Sequence, residues 1–546
     1  MRFGLTVCVV ALMLTFASRV PAVDRSQSPP SRPTLVILLV VDQMRADYLT
    51  RYREQFKAGL NRLITEGAFF DQAAYPYLTT LTCAGHATIS TGAFPSTHGI
   101  IANEWWSRAE NRRVICTEDA TVTNLSYVGG VEKTGHSARR LQAPTLGERL
   151  QSLDQTSQVV TLSMKPRSAI MLAGKGGTSV TWFVDATNGW ATSTAYTTTP
   201  IPAVRTFFAA QLMDRDRAAV WTQLAPTQFT GLDAGVGERP KTGWTTTFPH
   251  PLAGAPGTAE GEYYELWKCS PFADAYLADL AIAQVSALRL GQRGVIDLLG
   301  VSLSGLDCVG HDFGPDSAEV HDTLLRLDQT LGRLFDVLDR SVGRDNYVVG
   351  LSADHGVSPI PEQRRNQGDD AGRVIAPEVR RVAEAAMVAA HGAGPHIASV
   401  VPPYISFTPA TRALVDKSPE AARPAIEAVS KVPGILRVIP ARGLDSRRTS
   451  EDPVERAAAL SYFAAESGDL VFALKPYWIY GDASAASHGT LNSYDQRVPV
   501  ILMGTRVRPG RYTADATPAD IVPTLATILG LNPSGFDGKS HREALK

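Results

Sequence analysis

Thr34-Leu35-Val36-Ile37-Leu38-Leu39-Val40-Val41-Asp42 is the stretch from which the rest of the chain can be read. An unbroken apolar, β-branched run closed by a carboxylate is a strand buried on both faces. Similar runs recur downstream. Gln158–Ser163 stops just before Lys165, Val295–Ser302 just before Asp307, and Tyr347–Leu351 just before Asp354-His355; Val498–Met503 is another. Such runs alternating with helical segments predict a doubly wound α/β fold, a mostly parallel sheet with helices on both faces. Ligand sites in these sheets form beyond the carboxyl ends of the strands, which is where the polar residues stand.

Val320, Leu324, Leu327, Leu331, Leu334 and Leu338 recur at helical spacing and predict a helix over 318–340 with one core-facing stripe. A second helix is expected over 518–529, stopped by the turn Gly530-Leu531-Asn532-Pro533. Residues 106–139, 181–285 and 361–479 lack these signals. They are rich in Thr, Trp, Gly and Pro or mix charged helical segments with short strands, and are expected to form an inserted cap domain. Residues 34–105, 140–180, 286–360 and 480–546 are then the core. The stretch Arg364–Arg373 reads as a solvated loop.

The chain has 546 residues, 53 Lys+Arg against 54 Asp+Glu, and 44% hydrophobic residues. That composition excludes intrinsic disorder. Without a basic excess it also excludes coating of nucleic acid. Arg2, the apolar run Phe3–Ala17 and Val20-Pro21-Ala22 form a secretory leader cleaved near Ala22, so residues 1–22 are expected to direct export to the periplasm or beyond. No later run is long enough for a stable membrane span. Cys83, Cys116, Cys269 and Cys308 remain; they allow three pairings or free thiols, and the sequence does not choose.

Polar residues at the strand ends form a metal-ligand constellation. Asp307 and His311 are four apart and reach one helix face. Asp354-His355 follows a strand, His488 precedes Gly489, and Asp42 closes the first strand. Any one of these alone reads as a cap or a loop residue. Together, in chain order, they suffice for two zinc sites. Thr82, in Thr79-Thr80-Leu81-Thr82-Cys83-Ala84-Gly85-His86, supplies a hydroxyl nucleophile that a metal can activate.

Thr82 with His86 four later, the Ser90-Thr91-Gly92 and His98-Gly99-Ile100 runs, Asn103, Asp307-x-x-x-His311, Asp354-His355 and His488 resemble the alkaline phosphatase superfamily. Within it they resemble the Thr-nucleophile branch, which includes bacterial phosphate-irrepressible alkaline phosphatases and nucleotide pyrophosphatases/phosphodiesterases. The resemblance implies one Zn²⁺ on Asp307, His311 and His488, and another on Asp42, Asp354 and His355 with Thr82 as nucleophilic ligand. Asn103 and the backbone N–H near Thr82 would hold a phosphoryl oxygen, and a phosphothreonine intermediate would form. His86 and His98 are expected to be structural.

Lys165-x-Arg167 resembles the pair of the monoesterase subgroup. A point charge and a fork together match the extra charged oxygen of a monoester dianion. The expected activity is a zinc-dependent alkaline phosphatase acting on small phosphate monoesters. A phosphodiesterase or nucleotide pyrophosphatase on the same scaffold is the alternative. A sulfatase is disfavoured because Cys83-Ala-Gly-His-Ala lacks the formylglycine pattern. A metal- or phosphate-binding protein without catalysis is disfavoured because Thr82 is present.

Overall fold

The structure, a computed structural model, describes Met1 and residues 32–231, 233–259 and 261–546. Most of the expected leader, residues 2–22, lies outside the described residues.

A ten-stranded sheet forms the centre. In spatial order its strands are Gly510–Tyr512, Gly67–Phe70, Val500–Gly504, Tyr347–Ser352, Leu35–Val41, Asp297–Leu303, Val159–Ser163, Ser179–Val184, Gly189–Ser193 and Asn124–Val128. The run from Tyr347–Ser352 to Ser179–Val184 is parallel throughout. Val500–Gly504 and Gly189–Ser193 are antiparallel to their neighbours.

Strand Leu35–Val41 is buried along its whole length. Leu35, Ile37, Leu39 and Val41 enter one apolar cluster, and Val36, Leu38 and Val40 enter another on the opposite face. The alternation is the strand period read against two covered faces. On the first face the helix Ala318–Leu338 packs its predicted stripe beside Gly59–Glu66 and Pro271–Ala287. On the second lie Thr82–Thr91 and Ile521–Ile528.

Asp328, on the long helix, fixes the helix beside it. Its carboxylate accepts the backbone N–H groups of Lys57, Ala58, Leu60 and Asn61 at 2.7–3.2 Å, so the start of Gly59–Glu66 is capped from outside its own sequence. Asp328→Ala is expected to cost about 3 kcal/mol, because it strands one buried and three part-buried donors at once. A shift of the denaturation midpoint corresponding to less than about 1 kcal/mol would contradict this capping role.

Two segments expected to be insertions supply elements to the central sheet. Within 106–139, Asn124–Val128 is its edge strand. Within 181–285, Gly189–Ser193 is an inner strand and Pro271–Ala287 a covering helix. The helix escaped notice because it is apolar on nearly every side and shows no periodic contrast. The strand Gly189-Trp190-Ala191-Thr192-Ser193 is fully buried despite its turn-like composition. Residues within 361–479 build a separate antiparallel sheet, Ile397–Val401, Tyr404–Phe407, Leu470–Leu474 and Ile435–Pro440, covered by Ala376–His391 and Arg423–Ser430. The stretch expected as a solvated loop also differs: Pro361–Asn366 is a helix and Gly372–Val374 a strand. Arg373 there pairs with Glu362 and donates to the Ser484 and Ala485 carbonyls.

Disulfides join Cys83 to Cys116 and Cys269 to Cys308. Among the described residues no helix is long and apolar enough to cross a membrane.

Candidate active site

The carboxyl ends of four adjacent parallel strands deliver the polar residues to one place. Asp42 follows Leu35–Val41, Asp354 follows Tyr347–Ser352, Lys165 follows Val159–Ser163, and the helix Gly305–Phe313 after Asp297–Leu303 carries Asp307 and His311. Asp274 anchors that helix by accepting the N–H groups of Ser304 and Gly305. His488 arrives on a loop whose neighbours Ala485 and Ala486 donate to the His311 carbonyl.

Two clusters result. In one, Asp307 Oδ1 lies 3.3 Å from His311 Nε2 and 3.9 Å from His488 Nε2. In the other, His355 Nε2 lies 3.5 Å from Asp42 Oδ1, 3.4 Å from Asp354 Oδ2 and 3.4 Å from the Thr82 hydroxyl. The rings of His355 and His488 stack at 3.4 Å, so the clusters adjoin.

Three observations test whether these residues fit metal ions. The first is tautomeric. Nδ1 of His311 faces the Ala486 carbonyl at 2.8 Å, Nδ1 of His355 the Gly356 carbonyl at 3.0 Å, and Nδ1 of His488 the Thr80 carbonyl at 2.9 Å. A carbonyl can only accept, so each Nδ1 carries a proton, and Nε2 is the ring atom each histidine turns toward the carboxylates, the one a metal would take. The second is that Asp42 Oδ1 is buried without a hydrogen-bond partner. The third is charge. Lys165 Nζ spans Asp42 Oδ2 and Asp307 Oδ2, each at 2.5 Å. One ammonium cannot neutralise Asp42, Asp307 and Asp354 together. Burial, reinforced by Asp307 and Asp354, pushes Asp42 well above the usual carboxylate range. Burial also works against ionised Asp307, yet Lys165, His311 and His488 hold it well below that range. The donor set therefore fits divalent metal binding, with Asp307, His311 and His488 close enough to share an ion and Asp42, Asp307 and His355 likewise.

Thr82 opens the helix Thr82–Thr91, and the preceding Leu81 offers no side-chain cap. An uncapped helix start favours an anion. The Cys83 N–H is already used, since it donates to Asn103 Oδ1 at 2.8 Å. That bond sets Asn103 with its amide NH₂ as the remaining donor. Close approach of this helix to the metal cluster depends on Gly85, where a Cβ would collide with the Asp354 backbone. His86 is structural: Nδ1 meets the Thr82 carbonyl at 2.8 Å and Asp354 Oδ2 at 3.2 Å, and Nε2 meets Ser302. His98 is buried against Thr88 and the Ile100 N–H, and burial lowers it to about 3.

Lys165 and Arg167 both line a cleft of about 180 Å³ beside Asp307 and His311. Lys165 turns toward the carboxylates. The buried Nε of Arg167 makes no hydrogen bond. Sequence reasoning missed Gln43. Held at φ 68°, it donates its backbone N–H to Asp354 and its side-chain amide to Asp307 at 2.7 Å, linking the clusters. Its amide occupies the space left by Gly310, between Asp307 and His311. Lys241, Lys268 and Asp312 in the cleft wall were missed as well, and no local pattern marks them.

A family model described as type I phosphodiesterase/nucleotide pyrophosphatase matches residues 36–493. The chain is similar to alkaline phosphatase PhoV of Synechococcus elongatus, 31% identical over 525 residues and 94% of each chain. Alkaline phosphatase PafA of Elizabethkingia meningoseptica is 31% identical over 538 residues, covering 94% of this chain and 95% of that one. The crystal structure of PafA matches with a TM-score of 0.86 at 30% identity, over 94% of this chain and 99% of that one. A Myroides odoratus protein named calcium-transporting ATPase is 30% identical over 100% of both chains.

Proposed function

The chain belongs to the type I phosphodiesterase/nucleotide pyrophosphatase family of the alkaline phosphatase superfamily, and on that footing we propose that it is an alkaline phosphatase hydrolysing small phosphate monoesters through a phosphothreonine at Thr82. Two divalent ions, zinc by the imidazole and carboxylate donor set, would be held by Asp307, His311 and His488 and by Asp42, Asp354 and His355, supplying the Lewis acidity that activates a hydroxyl and neutralises a leaving oxygen.

The chain's own groups do the rest. Thr82 Oγ attacks phosphorus as the ester oxygen departs, taking up a proton to leave as the alcohol. Water then attacks the phosphothreonine, the P–O bond to Thr82 breaks, and inorganic phosphate leaves. Asn103 offers its amide NH₂ to a phosphoryl oxygen, and the helix start adds its partial positive charge. Lys165 stays an ammonium, because Asp307 and Asp42 outweigh the effect of its burial.

The observation that carries the monoester reading is Lys165 and Arg167 leading from the strand end Val159–Ser163 into the cleft beside the metal clusters. A monoester keeps a second charged oxygen that these cations match. In a diester that oxygen carries a carbon substituent. The naming of PhoV and PafA as alkaline phosphatases supports the same choice.

A panel of aryl phosphate, bis-aryl phosphate and aryl sulfate, run with metal analysis of the purified protein, tests this reading. Expected are two zinc ions per chain and a kcat/KM for the monoester at least about 10²-fold above the diester, the size of one lost transition-state contact. A faster diester reaction would establish the phosphodiesterase instead.

A further inference from the structure

The cleft reached by Lys165 and Arg167 does not end at the phosphoryl site. The same cleft is also lined by Lys241, Lys268, Asp185, Asp312 and Ser484. Neither lysine has a part in holding the metal clusters or in the phosphoryl chemistry.

Each lysine is tied to the helix Gly305–Phe313 that presents Asp307 and His311. Lys241 Nζ bonds Asp312 Oδ1 at 3.1 Å, and Asp312 is the neighbour of His311. Lys268 ends the helix Glu262–Lys268, and the next residue, Cys269, is bonded to Cys308 between Asp307 and His311. Lys268 Nζ is further steadied by Asp185 at 2.8 Å and Glu265 at 2.9 Å. An ammonium has three donors. Lys241 uses one of its three and Lys268 two. Their partners hold both in place, with donors remaining for a ligand. Their side chains are 35% and 17% exposed, so reaching them demands little rearrangement.

We propose that Lys241 and Lys268 form a leaving-group subsite for a second anionic group, so that the preferred substrates are small phosphate monoesters whose alcohol itself carries a carboxylate or phosphate. The inference rests on the monoesterase reading above and specifies the substrate class of that site. Size sets the class: the cleft of about 180 Å³ is below the roughly 300–1,000 Å³ of sites for drug-sized ligands. A three-carbon acid fits that description better than a nucleotide.

The test compares 3-phosphoglycerate with glycerol 3-phosphate. The two share the three-carbon skeleton and the phosphate, and differ by a carboxylate in place of a hydroxymethyl group. In the parent enzyme kcat/KM is expected to favour the acid by about tenfold, the worth of one charge-assisted hydrogen bond. Lys241→Met and Lys268→Met keep the apolar stems and remove the charges. Each should lower the acid-to-alcohol ratio, and the double variant should bring it to about one. A parent ratio at or below one, or a ratio that the double variant leaves in place, overturns the subsite. If instead neither monoester turns over while a bis-aryl phosphate does, the monoesterase reading itself has failed, and the subsite falls with it.

Discussion

Thr82→Ala is expected to lower kcat/KM for an aryl phosphate by at least about 10⁴-fold, a loss typical of removing a nucleophile from a preorganised site. Thr82 is 1% exposed, and its hydroxyl stands 3.4 Å from His355 Nε2, at the start of a helix whose preceding residue, Leu81, offers no cap. The other nearby groups lack an equivalent: His86 has both ring nitrogens committed, and Asn103 offers an amide. Thr82→Ser restores an oxygen at the same place and should recover most of the rate, which separates nucleophilicity from packing. Acid-quenched reactions with phosphorus-labelled substrate should leave label on the parent chain and none on the alanine variant. Alanine activity within about tenfold of the parent, or a labelled alanine variant, would remove Thr82 from the mechanism. The alanine change should leave the fold intact, because the Cys83 N–H keeps its bond to Asn103 and the helix keeps its contact with Asp354 through Gly85.

The placement of the strand-end residues around Thr82 was legible for a physical reason. In a parallel sheet both faces are covered, so central strands must be continuous apolar runs, and a charged residue closing such a run stands at the sheet's edge. Asp42, Lys165, Asp307 and Asp354 are all found that way. Other features depend on contacts far apart in sequence. Gln43 links Asp354 to Asp307 only because the chain turns through a left-handed conformation at a residue type that gives no warning of it. The edge strand Asn124–Val128 reads as loop because most of its residues are only partly buried. Lys241 and Lys268 are separated by 27 positions in a region of mixed composition, and each is tied to the helix Gly305–Phe313, one through Asp312 and the other through the neighbouring Cys269–Cys308 bond. Cysteine pairing is of the same kind, since spacing says nothing about which helices lie side by side.

The proposed monoester reading turns on Lys165 and Arg167, and their removal has the second large expected effect. Arg167 has a buried Nε without a partner and lines the cleft directly, so it is the group with binding capacity to spare. Arg167→Ala should cut monoester kcat/KM by roughly 10²–10³-fold, the cost of one charged contact at a transition state, while a bis-aryl phosphate loses less than about tenfold. Arg167→Lys keeps the charge and loses the fork, and belongs between the two. Lys165 is different, because its ammonium also lies between Asp42 and Asp307. Lys165→Ala removes a cation from two buried carboxylates as well as from the substrate, so metal content must be measured alongside the rates. With both metals retained, the double variant should collapse the monoester-to-diester ratio by about 10³-fold. A proportionate loss on both esters would mean that the pair serves the common phosphoryl oxygens, and the diesterase reading would then fit the site better. A selective loss on the monoester means that the two cations match the charge that the diester lacks.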